Sequence, residues 1–219
     1  MKIYVVGSSK NKFLDLDSCR EKFLVDETHE GDNIDHKNSS YCEITGLYYL
    51  WKHCNDDIVG LEHYRRYFTN KNGTILSKTE AEEILKSYDI IMYKWPNESA
   101  KTAMRNAGKE LELKIAAFIV GKIGNKEMQD FFERDLAAVG VYEGNMFICR
   151  KELIDEYCEW LFQLLAAFDY MDHRKLPRIG GYIAEYMFGP WMKYKQKRIY
   201  DCSRQTFSRD LKTKLRGHV

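Results

Sequence analysis

The segment IVGLEHYRRYF, residues 58–68, places reactive side chains at the end of an apolar stretch. His63, Arg65 and Arg66 follow the apolar residues 58–61 and alternate with aromatic residues. A guanidinium group binds phosphate oxygens through two parallel hydrogen bonds, a geometry that lysine cannot reproduce. The two adjacent arginines therefore indicate a diphosphate-binding site. Pairing of these arginines with surface carboxylates, which contributes little to stability, is the alternative interpretation.

The segment YEGNMFI, residues 142–148, sets polar residues inside an apolar strand. A glycine within a strand often marks a bulge or a close approach of a ligand to the backbone, and Gly144 fits that description. On a regular strand, Glu143 and Asn145 would face the same side and could line a binding pocket. A kink that serves only packing is the other interpretation.

The segment RIGGYIAEY, residues 178–186, contributes Glu185 near the start of a predicted helix. A carboxylate in a cleft can deprotonate a hydroxyl group when its pKa is raised towards neutrality. A single glutamate on a helix is more often solvated, so this segment alone does not decide the role of Glu185.

The segment GDNIDHKN, residues 31–38, gathers Asp32, Asn33, Lys37 and Asn38, which could hold a ribose, a base or a cation. The same residue types are common in ordinary turns. The only DxD string, residues 15–17, has the setting of a surface turn. Metal dependence is therefore open.

Glu62 is the residue with the least certain role. It precedes His63 at the end of the predicted strand and is interpreted as either a metal ligand or the ion-pair partner of Arg65.

The composition excludes several classes of function. Of the 219 residues, 44% are hydrophobic and 31% charged, as in an ordinary soluble globular protein. The formal net charge of +1 gives no nucleic-acid signature, so we expect no nucleic-acid partner. The six cysteines form no CxxC pair and are expected to be reduced. There is no signal-peptide pattern and no apolar run of about 18 residues, which favours a cytoplasmic protein.

The segment 193–219 is basic, with nine Lys or Arg against two Asp. A C-terminal tail of this charge could contact anionic lipid headgroups at the inner face of the plasma membrane. A solvated chain end without such a partner is the alternative.

Strands and helices alternate along the chain, which predicts an α/β fold in one domain with a largely parallel sheet. Predicted strands cover about 2–6, 22–27, 57–63, 88–94, 139–149 and 197–202, and predicted helices cover about 41–54, 77–87, 97–138 with a break at 121–125, 150–171 and 177–194. A loop is expected from residue 64 to about 76. Ligands of such sheets bind beyond the carboxyl ends of the strands, where several of the polar segments fall.

The same segments resemble a known family. GDNIDHKNSSYCEITGLYYLWKHCNDDIVGLEHYRRYF is similar to the signature of a bacterial domain family of formerly unknown function that occurs in capsular and exopolysaccharide clusters. GNMFICRKELIDEYCEWLF and RIGGYIAEYMF resemble the second and third blocks of that family, in the same order. The chain departs from the pattern at Asp35 and Tyr49, and residues 97–138 do not resemble the usual middle segment, which leaves the acceptor open.

The resemblance implies a glycosyltransferase-like protein with a GT-A-like nucleotide-diphospho-sugar transferase fold, a three-layer α/β/α sandwich. Some members are associated with galactofuranose transfer, and the implied partners are a nucleotide sugar donor, most simply a UDP-sugar, and a saccharide or lipid-linked acceptor. The resemblance leaves open whether the protein requires Mg²⁺ or Mn²⁺ as a cofactor. A nucleotidyltransferase and a non-catalytic saccharide-binding protein remain alternatives.

We assign roles to the residues on this basis. Arg65, Arg66 and His63 are expected to bind the donor diphosphate, where fixed donors stabilise the charge that develops on the leaving group. Glu185 is the candidate general base, with Glu143 second and His63 as an orienting catalytic group. The expected nucleoside contacts are Asp32, Asn33, Lys37 and Asn38, and the expected sugar or acceptor contacts are Asn145, Tyr64 and Glu143.

Overall fold

The structure is a computed structural model that describes residues 1–207. Its strands are β1 Lys2–Gly7, β2 Arg20–Leu24, β3 Ile58–His63, β4 Arg66–Thr69, β5 Ile90–Trp95, β6 Val141–Arg150, β7 Ile199–Asp201 and β8 Ser203–Thr206. Its helices are α1 Asn38–Tyr41, α2 Ile44–His53, α3 Lys78–Ile84, α4 Ala100–Asn106, α5 Glu110–Ile123, α6 Lys126–Ala137, α7 Lys151–Met171 and α8 Ile179–Tyr194, with a short 3₁₀ helix at Asp35–Lys37.

The central sheet has the order β2-β1-β3-β6-β5-β7. Strand β6 runs antiparallel to both β3 and β5, and the other neighbouring pairs are parallel. Strand β1 is buried on both faces, as its continuous apolar sequence predicts. The carboxyl ends of β1, β3 and β5 therefore meet at one edge, opposite the end of β6.

Helices and a strand pair cover the two faces of this sheet. Seven helices, all except α3, bury their apolar residues against one face. The other face is covered by α3 together with β4 and β8. The predicted three-layer α/β/α sandwich with a mostly parallel sheet is confirmed.

Strand β6 contains a large irregularity opposite β5. Phe147 pairs with Met92 and Tyr142 pairs with Lys94, so β6 has residues 143–146 where β5 has only Tyr93. We call residues 143–145 the β6 bulge. Its backbone enters the left-handed region at Gly144 (φ 85°) and Asn145 (φ 51°). A bulge of this kind redirects side chains out of the regular alternation of a strand.

Several predicted elements differ from the structure in their bounds. The predicted helix 41–54 is divided, because Cys42 (φ 50°, ψ −125°) ends α1 before α2 begins. The predicted loop 64–76 contains β4, which pairs with β8 along Arg66–Thr69. Local sequence did not reveal this strand because its partner lies more than 130 residues away in the chain.

The segment predicted as a basic tail begins inside the fold. Residues 199–206 form β7 and β8, and the Arg204 side chain is only 9% exposed beside Glu143. Residues 193–207 are therefore part of the packed structure, and the rest of the predicted tail, 208–219, lies outside the described residues. The division of the chain as one domain stays a prediction.

Candidate functional site

A cleft of about 470 Å³ opens at the carboxyl ends of β1 and β3. Its lining comes from β1 and the following turn, α1 and the α1–α2 junction, the β3–β4 turn, the β6 bulge and α8. The lining residues are Val6, Gly7, Ser8, Asn11, Val25, Asn38, Ser39, Cys42, Glu43, His63, Tyr64, Arg65, Arg66, Gly144, Arg178 and Glu185. The structure thus brings His63, Tyr64, Arg65, Arg66, Asn38 and Glu185 together as predicted. Another cavity, of about 260 Å³ between α4, α5 and α6, contains none of the predicted residues.

Three arginines give the cleft its positive charge. Arg66 is half-buried at the start of β4, where it pairs with His63 in the ladder. Arg65 and Arg178 are exposed, and their guanidinium groups lie 5.7 Å from the Tyr64 ring and 5.6 Å from the Tyr182 ring. Within residues 1–207, none of the three has a carboxylate oxygen within 4.0 Å. The described part of the fold therefore leaves these charges available to an anion.

Sequence reasoning assigned no role to Arg178, although it is the first residue of the segment RIGGYIAEY. Its backbone adopts a left-handed conformation (φ 62°) just before α8, and its N–H donates to the Ser39 carbonyl at 3.0 Å. Gly180 allows α8 to approach α1 closely, because a Cβ there would lie 2.5 Å from the Tyr41 ring. This close packing brings Arg178 to the cleft.

Glu185 is half-buried on α8 and its Oε1 accepts a hydrogen bond of 2.8 Å from the Gly144 N–H. Burial, with the nearby charge of Glu43, raises the pKa of Glu185 to about 7, against the lowering effects of the Gly144 hydrogen bond and of Arg66. A carboxylate with this pKa can accept a proton near neutral pH. The predicted candidate base thus lies in the cleft with a suitable proton affinity.

His63 and Glu185 are held by the same peptide segment. His63 Nε2 contacts the Gly144 carbonyl oxygen, so this nitrogen carries the proton and donates. Burial lowers the pKa of His63, which favours the neutral ring. His63 therefore holds the peptide group after Gly144, and Glu185 accepts from the peptide group before it, so both side chains fix the backbone at Gly144.

Asn145 and Glu43 form a second hydrogen-bonded unit behind the cleft. The Asn145 side chain is 4% exposed, and its Nδ2 donates to Glu43 Oε1 at 2.8 Å and to the Gly181 carbonyl at 3.3 Å. Glu43 lines the cleft at the α1–α2 junction. Asn145 was predicted to contact the sugar or acceptor, but its amide group is engaged within the protein, so it orients Glu43 instead. Glu43 lies within the segment that resembles the family signature, but the sequence analysis assigned it no role.

Glu143 does not line the cleft. The β6 bulge turns it away from Asn145, and its Oε1 lies 2.8 Å from Arg204 Nη1 on β8. The prediction that Glu143 and Asn145 face the same side is wrong, because it assumed a regular strand.

Residues 2–197 match the family described as "Domain of unknown function (DUF4422)". The chain belongs to this family. A search of the curated proteins found no match for this DUF4422 chain.

Among solved structures, the fold is similar to a bifunctional glycosyltransferase, WbbM, in its apo structure, with a TM-score of 0.80 and 23% sequence identity. The match covers 94% of this chain and 45% of that chain, so this DUF4422 chain spans about half the length of the similar structure. The predicted GT-A-like fold is confirmed. Within residues 1–207, no helix is both long and apolar enough to cross a membrane.

Three of the four predicted nucleoside contacts lie away from the cleft of this DUF4422 chain. Asp32 accepts a hydrogen bond from Tyr48 (2.9 Å), Asn33 donates to the His29 carbonyl (2.8 Å), and Lys37 pairs with Asp169 (2.7 Å). These groups stabilise a turn against α2 and α7, as polar turn residues often do. Only Asn38 of this set lines the cleft.

Glu62 is a structural residue in the interior of the fold and is not part of the cleft lining. It is fully buried, and its carboxylate accepts from Arg20 Nε at 2.7 Å and from the Phe68 N–H at 3.0 Å. Its partner is therefore Arg20, and neither the metal-ligand role nor the pairing with Arg65 fits its position. Asp17 of the DxD string binds the same guanidinium at 2.6 Å.

The acidic residues of the cleft do not form an evident metal site. No group of three or more His, Cys, Asp or Glu side chains is placed to hold a metal ion among residues 1–207. Glu43 and Glu185 are bound by Asn145 and Gly144 instead. A requirement for Mg²⁺ or Mn²⁺ stays a prediction.

Proposed function

We propose that this DUF4422 chain transfers a glycosyl group from a nucleotide diphosphate sugar to a hydroxyl group of a saccharide or lipid-linked acceptor. The observation that carries the proposal is the presence, in one cleft, of three arginines without carboxylate partners among residues 1–207 and a carboxylate whose pKa is about 7. The similarity of the fold to a bifunctional glycosyltransferase supports the same class of reaction.

The arginines supply the donor site. Arg65, Arg66 and Arg178 bind the diphosphate oxygens of the donor and stabilise the negative charge that accumulates as the bond to the anomeric carbon breaks. The nucleoside lies along the turn after β1, where Gly7, Ser8 and Asn11 line the cleft. This turn replaces the segment 31–38 as the proposed nucleoside contact, with Asn38 retained.

Glu185 acts as the general base. It takes the proton of the acceptor hydroxyl as that oxygen bonds to the anomeric carbon and the nucleoside diphosphate leaves. This single displacement inverts the anomeric configuration. His63 and Asn145 are positioning residues, because they act through the Gly144 peptide and through Glu43.

The finer assignments follow from the family resemblance. The donor is a UDP-hexose, with galactose or galactofuranose as the first sugars to test. The product belongs to capsular, exopolysaccharide or other cell-surface glycan synthesis at the cytoplasmic face of the membrane.

Calorimetric titration with UDP and UDP-hexoses, with and without Mg²⁺ or Mn²⁺, tests the donor site. Loss of one charge-assisted hydrogen bond weakens binding by about 10- to 100-fold, and we expect this for Arg65→Ala, Arg66→Ala and Arg178→Ala. Arg150→Ala is the matched control, since Arg150 is exposed and lies at the opposite end of β6. Unchanged UDP binding in all three folded cleft variants would refute the diphosphate role.

A product assay separates glycosyl transfer from nucleotidyl transfer. Glycosyl transfer releases a nucleoside diphosphate, whereas a nucleotidyltransferase exchanges pyrophosphate. Release of UDP that requires an acceptor supports the proposal, and pyrophosphate exchange without UDP release contradicts it.

A further inference from the structure

Trp95 lies at the last position of β5, at the same edge of the sheet as the cleft. Its side chain is 38% exposed, and its backbone partner in β6 is Val141, two residues before the β6 bulge. A single exposed aromatic residue is common on protein surfaces and does not by itself indicate a site. The neighbours of Trp95 are therefore decisive.

Two residues near Trp95 in the ladder share one partner, Arg204. Tyr93 lies two residues before Trp95 on β5, and Glu143 lies two residues after Val141 on β6. The Arg204 guanidinium stacks over the Tyr93 ring at 4.0 Å and also contacts Glu143 at 2.8 Å. We call Trp95, Tyr93, Arg204 and Glu143 the Trp95 shelf.

Glu143 connects the Trp95 shelf to the candidate base. It directly precedes Gly144, whose N–H binds Glu185. Its side chain is 25% exposed, and Arg204, 9% exposed, approaches it most closely at Oε1, at 2.8 Å. Among residues 1–207, no hydrogen bond engages Glu143 Oε2, so this oxygen can accept a bond from a ligand hydroxyl.

The combination of an exposed aromatic ring and a fixed carboxylate fits a sugar ring better than a flat apolar partner. An indole ring offers a rigid apolar face for the C–H groups of a sugar, while a fixed carboxylate offers an acceptor for its hydroxyls. Arg204 holds Glu143 in place through their ion pair. Arg204 Nη1 is buried and lies 2.8 Å from the carboxylate, but the angle between the two groups does not allow a hydrogen bond. The carboxylate is thus fixed but incompletely bonded.

We propose that the Trp95 shelf binds the acceptor saccharide, with Trp95 stacking on one sugar ring and Glu143 accepting from its hydroxyl groups. This assignment rests on the proposed function. It specifies in addition that the acceptor approaches Glu185 from the side of β5. The reactive hydroxyl lies at Glu185, and the preceding sugar unit extends along β5 to Trp95.

The test uses the full chain and two probes, octyl β-D-galactopyranoside and octyl β-D-glucopyranoside below their micelle-forming concentrations. Saturation-transfer NMR titrations are made with and without UDP. We expect Trp95→Ala to weaken glycoside binding by about tenfold or more, Trp95→Phe to retain most of it, and Glu143→Gln to weaken it measurably. UDP binding should not change in any of these variants.

Tyr170→Ala is the matched control. Tyr170 is 88% exposed but lies at the end of α7, on the other face of the sheet. Wild-type affinity in Trp95→Ala, an equal loss in Tyr170→Ala, or no glycoside binding by the wild type with or without UDP would each overturn the assignment.

The results also distinguish a failure of the acceptor assignment from a failure of the proposed function. If the wild type binds glycosides through Trp95 but no nucleotide or nucleotide sugar, the Trp95 shelf is a saccharide site and the transferase proposal fails. If UDP binds through the arginines while Trp95→Ala has no effect on the glycosides, only the acceptor assignment fails.

Discussion

Glu185 is the residue whose environment best matches a chemical role. The cleft around it excludes much of the solvent, and Glu43 places a second carboxylate nearby, so the proton is retained up to a pH of about 7. The Gly144 N–H prevents a larger shift by stabilising the charged form. The residue can therefore exchange a proton with an acceptor at physiological pH.

The pH dependence of transfer should follow the ionisation of Glu185. Because a general base acts only when deprotonated, kcat/KM should rise with pH and level off above about 7. Glu185→Gln should reduce kcat by about 100-fold or more while UDP binding persists. A pH–rate profile and calorimetry on both proteins measure this, and near-normal turnover of the variant would remove Glu185 from the mechanism.

The same residue should make the protein less stable at high pH. Its pKa rises from the ordinary 4.5 to about 7 in the folded state, so the folded chain holds a proton that the unfolded chain has already lost. This contribution is fully present below pH 4.5 and is lost as pH rises through about 7. Glu185→Gln should therefore exceed the wild type in free energy of unfolding by on the order of 2 kcal/mol at pH 8.

Denaturant unfolding at two pH values checks this stability difference. At pH 8 the variant should be the more stable protein, and at pH 4.5 the two should be nearly equal. A difference that does not depend on pH would point to altered packing instead of ionisation.

At the scale of secondary-structure elements, the β6 bulge is the feature that assembles the site. The Gly144 N–H binds Glu185 and the Gly144 carbonyl binds His63, while the flanking side chains of Glu143 and Asn145 bind Arg204 and Glu43. A regular strand would place Glu143 and Asn145 on the same face, so their side chains could not reach Arg204 and Glu43 on different sides.

Replacement of Gly144 by alanine tests whether transfer activity depends on the backbone conformation at this position. At φ +85° an L-residue is strained by about 1–2 kcal/mol, although the added Cβ would find ordinary contacts no closer than 3.6 Å. We expect Gly144→Ala to fold with this loss of stability and to lose most of its transfer activity, because relief of the strain rotates the peptide that holds Glu185.

Gly73→Ala is the matched control for this variant. Gly73 has φ +77° in a loop outside the cleft, with open space around its Cβ position. It should lose similar stability and keep wild-type kcat. Equal kcat values for the two variants would show that the Gly144 peptide is not required in its observed orientation.

The amino-acid sequence identified some of these groups and missed others for physical reasons. Arg65 and Arg66 were predictable because they lie in a short segment whose residue types already indicate chemistry, whereas Glu185 was assigned as candidate base only with the help of the family resemblance. Arg178 and Glu43 reach the cleft only through backbone turns and the packing of α1 against α8, which local sequence does not encode. The bulge was anticipated from Gly144, but its three-residue size was not.

At the scale of the whole molecule, the buried pair of Arg20 and Glu62 connects three strands. Arg20 is the first residue of β2, Glu62 lies on β3, and the carboxylate also accepts from the Phe68 N–H of β4. Both side chains are almost fully buried, with exposures of 1% and 0%. The pair stabilises the edge that carries β4 and, through it, Arg66.

Breaking this pair should destabilise the fold without touching the cleft. Arg20→Met leaves a buried, uncompensated carboxylate and should cost about 3–5 kcal/mol, whereas Arg20→Met with Glu62→Leu should recover most of that loss. Lys86→Ala, which removes an exposed pair with Glu83, should cost less than about 1 kcal/mol. Urea unfolding measures all three, and a double variant no more stable than Arg20→Met would contradict the explanation.

The layered architecture was predictable from alternating apolar segments, since each strand and helix carries its own periodic pattern. The pairing of β4 with β8 was not, because both strands are short and no local pattern connects Arg66 with Thr206. The basic charge of the C-terminal segment suggested an exposed tail, either bound to lipid or solvated, yet Arg204 is buried beside its partners Glu143 and Tyr93.

The sheet and the candidate site depend on different residues of β6. The pairs on either side of the β6 bulge, Phe147 with Met92 and Tyr142 with Lys94, belong to a ladder that needs none of residues 143–145. A chain without these three residues would keep every strand neighbour and lose the contacts to Glu185, His63, Glu43 and Arg204 at once. Gain or loss of the candidate chemistry is therefore available to this scaffold through one short insertion or deletion.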